Sequence, residues 1–398
     1  DGLYVLGGCV HMPREAARQA LRPGAFMSLG RRLGARCAKE AASASIPSGV
    51  RVTRKSSSGI TSSGDVKEEL SGPRPVSTDL PTIPASAGAL PVLGSYDVVV
   101  IGGGTSGAPA AISAARHGAE TLIADFQHGL GGAGTLGLIG SYYHGNRVGF
   151  TKDIDRGTKS VGADVHVVGK AEWYRRALRE AGADVWFGVL TCGAFVEDGQ
   201  VKGAVVTTPQ GRGVVLADTV IDSTGNSDVA AAAGAECEFT DADSPAVQGS
   251  GLPKKPLGSS YVNTDYTFID DTDTVDRWRA FLGAHRRYSS AYDVVQLTDT
   301  RERRRIKGDY ELTPLDQLNR RTFPDTIMRA KSNFDTHGFT IHPVYFLKPP
   351  HKRDIYADVP YRCMLPRGLE NMLVIGLGIS AHRDAIPLIR MQPDMQNL

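Results

Sequence analysis

Polar and apolar positions alternate in a regular way only from Tyr96 onward. The runs "DVVVIG", "TLIAD", "ADVWFGVLTCGAFVEDGQVKGAVVTT" and "NMLVIGLG" read as strands, and alanine-rich stretches between them read as helices. Strands alternating with helices predict an α/β fold, a mainly parallel sheet with helices on its faces. The start of the chain has a different texture. In residues 1–40, "LYVLGGCV" is followed by "PREAARQALRPGAFMSLGRRLGARCAKEA", where prolines at helix starts predict one or two short helices. Serine, glycine, proline and threonine then dominate residues 41–94, which are too polar and broken to pack a core and are expected to be linker or disordered. Residues 241–358 carry more charge, aromatics and proline. Helical signals at "TDTVDRWRAFLGAHRRY" and "PDTIMRAKSNFD" suggest a second domain set between two parts of the first, 95–240 and 359–398.

Composition narrows the possibilities. The 398 residues, 41% of them hydrophobic, can bury one large core or two medium ones. A formal net charge of +2 gives no basis for nucleic acid or an acidic membrane as partner, and no apolar run is long enough to cross a bilayer. The five cysteines form no CxxC and the histidines show no metal-ligand spacing, so reduced thiols and no metal are expected. The chain opens on Asp1 without a methionine or signal pattern, which reads as an incomplete N-terminus; a cytoplasmic location is the default.

The chemistry-bearing stretch is "SYDVVVIGGGTSGAPAAISAARHGAETLIAD", residues 95–125. Gly102, Gly104 and Gly107 form GxGxxG between a strand and a helix. Gly102 suits a tight turn, Gly104 lets backbone approach a pyrophosphate, and Gly107 lets helix and strand pack closely. Thr105 and Ser106 open the helix, whose free N–H groups favour phosphate. Asp125 closes the second strand, where a carboxylate accepts hydrogen bonds from a ribose and disfavours a 2′-phosphate. FAD and NAD both fit this unit.

The segment after Asp125 separates them. "FQHGLGGAGTLGLIGSYYHGNRVGF" is a second glycine-rich stretch where a nicotinamide dehydrogenase has another helix and strand. Through Gly131, Gly132, Gly134 and Thr135 the sequence resembles the FAD-dependent oxidoreductases whose flavin domain is of the glutathione-reductase type. "VVLADTVIDSTGNSDVAAAAGAE" is similar to that family's second flavin motif, with Asp222, Thr224 and Gly225 at the strand end. "GLENMLVIGLGISAHRDAIPLIRMQPDM" is similar to its last strand and glycine turn, with Gly378 in the turn. The resemblance implies an FAD cofactor, contact of Asp384 or equally His382 with the ribityl chain or phosphates, and a final helix that continues beyond Leu398.

Such a protein would pass hydride or electrons from a polar small molecule to the flavin and then to an acceptor, with side chains supplying orientation and a base. "SYYHGNR" offers Tyr142, Tyr143, His144, Asn146 and Arg147, with His144 as base, covalent tether or plain loop residue. "TRERRRIKGDY" concentrates Arg301, Arg303, Arg304, Arg305 and Lys307; strand alternation turns Arg303 and Arg305 toward a bound anion and Arg304 toward water, unless the run is a solvated edge. His337, His342 and His382 complete the set, with His382 foremost by its place in the last turn. The expected catalytic group is thus His144, Arg303, Arg305 and His382. A non-catalytic flavin-binding electron-transfer or scaffold subunit and an NAD-dependent dehydrogenase are the alternatives.

Overall fold

A computed structural model describes residues 3–7, 10–44, 62–68, 88–137, 139–240, 247–248, 274–287, 299–300, 304–336, 340–349 and 353–398. The chain divides into two compact units, residues 1–56 with 79–88 and residues 57–78 with 89–398. In the first, helices α1 (Arg14–Ala20) and α2 (Pro23–Ala41) are consecutive, and Pro23 starts α2 where its missing N–H costs nothing. Glu40 receives the Tyr4 hydroxyl at 2.6 Å and Arg36 Nε at 2.8 Å, tying the N-terminal stretch of chain to the end of α2.

The second unit holds the sheet. Its strands are β1 (Asp65–Glu68), β2 (Val92–Ile101), β3 (Thr121–Asp125), β4 (Asp184–Phe187), β5 (Leu190–Glu197), β6 (Gln200–Thr208) and β7 (Gly211–Asp222). Between them lie α3 (Gly107–Arg116), α4 (Phe150–Val161) and α5 (His166–Glu180). After β7 come α6 (Asp228–Ala233), β8 (Cys237–Phe239), β9 (Val247–Gln248), α7 (Thr274–Arg287), β10 (Asp299–Thr300), β11 (Arg304–Ile306), α8 (Pro314–Leu318), β12 (Thr326–Ser332), α9 (Val344–Leu347), β13 (Ile355–Pro360), β14 (Met372–Val374), α10 (Ile386–Ile389) and α11 (Gln392–Asn397). Strands β14, β7, β2, β3 and β4 run parallel as neighbours. β6, β5 and β1 continue antiparallel from the first half of β7, so that one long strand serves both parts. Its first half pairs with β6 through Gly203 and Leu216, while its last three residues pair with β14.

The parallel strands are apolar almost without interruption because both faces are covered. On one face Val100 and Ile123 pack with Ala108, Ile112, Tyr174 and Leu178 of α3 and α5; on the other Val99, Leu122 and Val220 pack with Val206, Val229 and Ile306.

Three expectations do not hold. Residues 41–94 are not linker throughout, since Asp65–Glu68 pairs with β5 and β2 begins at Val92. "TIMRAKS" is strand β12, because its β-branched and alternating residues pair with β13, whereas "TVDRWRAFLGAHRR" is helical as expected. The described parts of 241–358 form no separate domain: Leu312, Phe323, Met328 and Val359 share one apolar cluster with Ile379, Ile386 and Leu388 of the chain's final part. Among the described residues, no helix is long and apolar enough to cross a membrane.

Candidate flavin site

The glycine turn is built by exclusion of side chains. A Cβ on Gly102, where φ is +93°, would lie 2.4 Å from the Ser223 carbonyl oxygen, and one on Gly107 would lie 1.9 Å from the Gly102 carbonyl oxygen. The end of β7 therefore rests directly on the turn. A Cβ on Gly104 would meet nothing within 4 Å, because Gly104 borders a cavity of about 250 Å³. Asp125, Gly132, Thr191, Thr224 and Asp228 line the same cavity.

Residues 131–135 lie against this turn. Gly131 N–H donates to the Gly103 carbonyl at 2.8 Å, and a Cβ on Gly132 would come within 3.1 Å of Gly104 Cα and Thr105 N. The last motif closes on the same place, since a Cβ on Gly376 would touch Ser106 Oγ at 3.3 Å and one on Gly378 would sit 2.3 Å from Ser227 Oγ. Gly102, Gly104, Gly132 and Thr224 thus line one crevice at the carboxyl ends of β2, β3 and β7, while Thr105, Ser106, Gly107, Gly131 and Gly378 belong to the segments packed around its turn and are not among its lining residues. Gly225 comes next after Thr224, with φ +76° and open space around it.

The polar residues of the crevice have defined partners. Asp125 Oδ2 accepts from Gly103 N–H at 2.6 Å and Oδ1 from Gln127 N–H at 2.7 Å; burial raises its pKa, with these bonds opposing. The fully buried Asp222 accepts from the Thr224 hydroxyl and N–H and from the N–H groups of Val229 and Ala230, so it caps α6 and holds the Thr-Gly turn. Thr135 turns its hydroxyl inward to the Leu130 carbonyl, and Gly134 faces Lys170 and Gln392 instead of the cavity.

The catalytic expectations fare differently. Arg303, Arg301 and His337 lie outside the described residues. Arg304 is buried rather than turned to water: Nε donates to the Asn226 carbonyl at 2.8 Å and Nη2 reaches Asp228 at 2.6 Å. Arg305 is equally buried and ties the last turn to the residue that follows β8, its Nε donating to the Ala381 carbonyl and Nη1 to Thr240. The alternation fails because β11 is covered on both faces. Asp384 gives its Oδ2 to the N–H groups of Ile341 and His342 at 2.7 and 2.6 Å, which corrects its expected contact with ribityl or phosphate.

The histidines differ in which nitrogen is engaged. His382 Nδ1 accepts from Asp384 N–H at 3.1 Å and His342 Nδ1 from Val344 N–H at 3.2 Å. Each neutral ring then carries its proton on Nε2 and presents a donor there. Their rings meet edge to face at 5.0 Å, and burial lowers the His382 pKa. His144 has Asp354 Oδ1 2.9 Å from Nδ1, which favours a proton on that nitrogen and leaves the Nε2 lone pair available. Asp354 also reaches Lys331 at 3.4 Å.

Sequence reasoning passed over Lys170, Asp354, Gln392 and Asp394. Lys170 had a visible signal: it lies four, seven and eight residues before Tyr174, Ala177 and Leu178, on the buried face of α5. Asp354 and Asp394 had none, because their partners are distant in sequence.

A glycine turn that admits a diphosphate, an acid ending β3, a second glycine segment laid across the turn and a late strand closing on it define a dinucleotide-binding protein. A profile of the FAD dependent oxidoreductase family matches residues 97–298 and 273–398, and the chain belongs to that family. Membership gives FAD as the cofactor, which sets aside the nicotinamide reading. Among solved structures, a geranylgeranyl bacteriochlorophyll reductase-like protein from Thermoplasma acidophilum is similar at 17% identity and TM-score 0.35, over 76% of this chain and 75% of that one. THI4 of Thermovibrio ammonificans is similar at 20% identity and TM-score 0.30, over 35% of this chain and 61% of that one. A 3-ketosteroid dehydrogenase from Rhodococcus jostii gives 15% identity and TM-score 0.31, over 41% and 57%. At these scores none bears on what this chain acts on. Comparison with curated protein sequences returned no match.

Proposed function

We propose that the protein oxidises a polar small molecule, such as a sugar or hydroxy acid, by hydride transfer to FAD, and returns the electrons to a separate acceptor. Two features of the crevice support this reading: Gly104 leaves room for a diphosphate, and Asp125 stands on the same cavity where a ribose needs an acceptor. When bound, FAD supplies the two-electron acceptor.

The residues provide the proton chemistry. The single observation carrying this reading is the opposite arrangement of the histidines. His144, with Asp354 at Nδ1, is suited to accept the proton of a substrate hydroxyl at Nε2. His382 and His342, each with Nδ1 engaged by a backbone N–H, are suited to donate to an oxygen that gains negative charge. Arg305 acts as a brace between the last turn and the residue that follows β8.

The test is anaerobic reduction of the yellow protein by a panel of polar alcohols and hydroxy acids, read as loss of flavin absorbance. His144→Gln is expected to retain FAD and to slow reduction by a factor of about 10² to 10⁴. Reduction at the wild-type rate removes His144 from the reaction. Bleaching by no member of the panel removes the substrate class.

A further inference from the structure

Lys170 is the group least explained by the fold. The residue is 1% exposed, yet it carries an amine into the interior from α5. Nζ lies 3.2 Å from Gln392 Oε1 and 3.4 Å from the Tyr142 hydroxyl, and a Cβ on Gly134 would approach it to 2.8 Å. The amine therefore meets three separate pieces of chain: the glycine segment, the loop after it and the first turn of α11. The orientation of Gln392 is fixed, because its Nε2 donates to the Ile139 carbonyl at 2.9 Å and so turns Oε1 to the amine. The glycine segment is fixed at its other end by Gly131 N–H on Gly103 and by Gly132 against Gly104. Movement at Gly134 is thus transmitted within two residues to the cavity edge.

We propose that protonated Lys170 is a positioning residue for FAD, holding residues 131–135 in place between Tyr142 and α11, and that loss of its proton loosens the diphosphate cradle. This rests on the glycine crevice being the cofactor site. The ammonium makes charge-assisted bonds to both acceptors and has a third donor, whereas the neutral amine keeps two weaker donors and no charge. Burial pushes the amine down to about 8, with Asp155 pulling the other way. The titratable and charged groups around it are Tyr142, which is itself 3.1 Å from Asp155, Asp155 on α4, Tyr174 on α5, and Arg147 over the Tyr142 ring; α11 contributes the neutral Gln392 and Gln396. Burial holds both tyrosines well above the usual phenol range, so the amine is the group of this set that changes charge near pH 8.

The experiment is titration of the flavin-stripped protein with FAD by fluorescence, from pH 7 to 9.5, for the wild type, Lys170→Met and Lys170→Gln, with near-UV circular dichroism to verify folding. The wild-type Kd is expected to rise about tenfold across this range, while a folded variant binds about tenfold more weakly at pH 7 and shows no further rise. Either neutral variant binding as tightly as wild type at pH 7, or keeping the wild-type pH dependence, overturns the proposal. So does a wild-type Kd that stays flat, which decides the matter should both variants misfold. Failure of the wild type to bind FAD at any pH would instead overturn the crevice as the site, and this role with it.

Discussion

Gly104 and Gly107 lie three residues apart in one turn, yet a methyl group added to each meets opposite surroundings. At Gly104 it enters open cavity; at Gly107 it strikes the Gly102 carbonyl oxygen at 1.9 Å. Gly104→Val is therefore expected to melt like the wild type but to purify without yellow colour, as its branched side chain fills the space a diphosphate needs. Gly107→Ala is expected to lower folding stability by about 1–3 kcal/mol, measured by denaturant unfolding, because backbone must move to admit it. The GxGxxG spacing made both roles legible in the sequence. Asp384 and Arg305 were not legible in the same way: a carboxylate or guanidinium in a motif looks like a ligand contact, and only the fold reveals that Ile341, His342, Ala381 and Thr240 already engage them.

Among elements, α6 depends on a single carboxylate. The fully buried Asp222 receives two N–H groups from the buried start of the helix and two donors from the half-buried Thr224. Asp222→Ala leaves those donors unsatisfied and is expected to cost about 3 kcal/mol or more in denaturant unfolding. Asp222→Asn restores part of this through its one oxygen. The strands of the parallel sheet were legible as apolar runs because both faces are buried. β12 was mistaken for helix because "TIMRAKS" is short and mixes β-branched with helix-favouring residues, and its partner β13 lies more than twenty residues away. The arginines of β11 misled for a related reason, since alternation indicates facing only where one side of a strand is wet.

For the molecule as a whole, two buried ionisable groups give stability an opposing dependence on pH. Burial raises the Asp394 carboxyl to about 7, against backbone bonds from Asn146 and Lys331. The native state then keeps a proton that the unfolded chain has released, so stability falls as pH rises from about 4 to about 7, by up to about 4 kcal/mol. Lys170 acts in the other direction. Its folded value of about 8 lies below the unfolded one, the unfolded chain binds the extra proton, and stability rises from about pH 8 to about pH 10. Melting temperature measured across this range is expected to decline and later recover; Asp394→Asn removes the first slope and Lys170→Met the second. The Asp394 effect was not legible beforehand, since it depends on burial by segments far apart in the chain; for Lys170 only its place on the buried face of α5 was.

The pairing of β14 with the end of β7 has a consequence for biosynthesis. Val374 seals the sheet beside Asp222, about 150 residues earlier, so the wall against which the glycine turn rests stays unfinished while all the intervening polypeptide leaves the ribosome. A nascent chain exposes the raw border of a parallel sheet throughout that interval, although every residue lining the cavity beside Gly104 has by then been made. Until β14 has emerged, the last three residues of β7 lack this parallel neighbour.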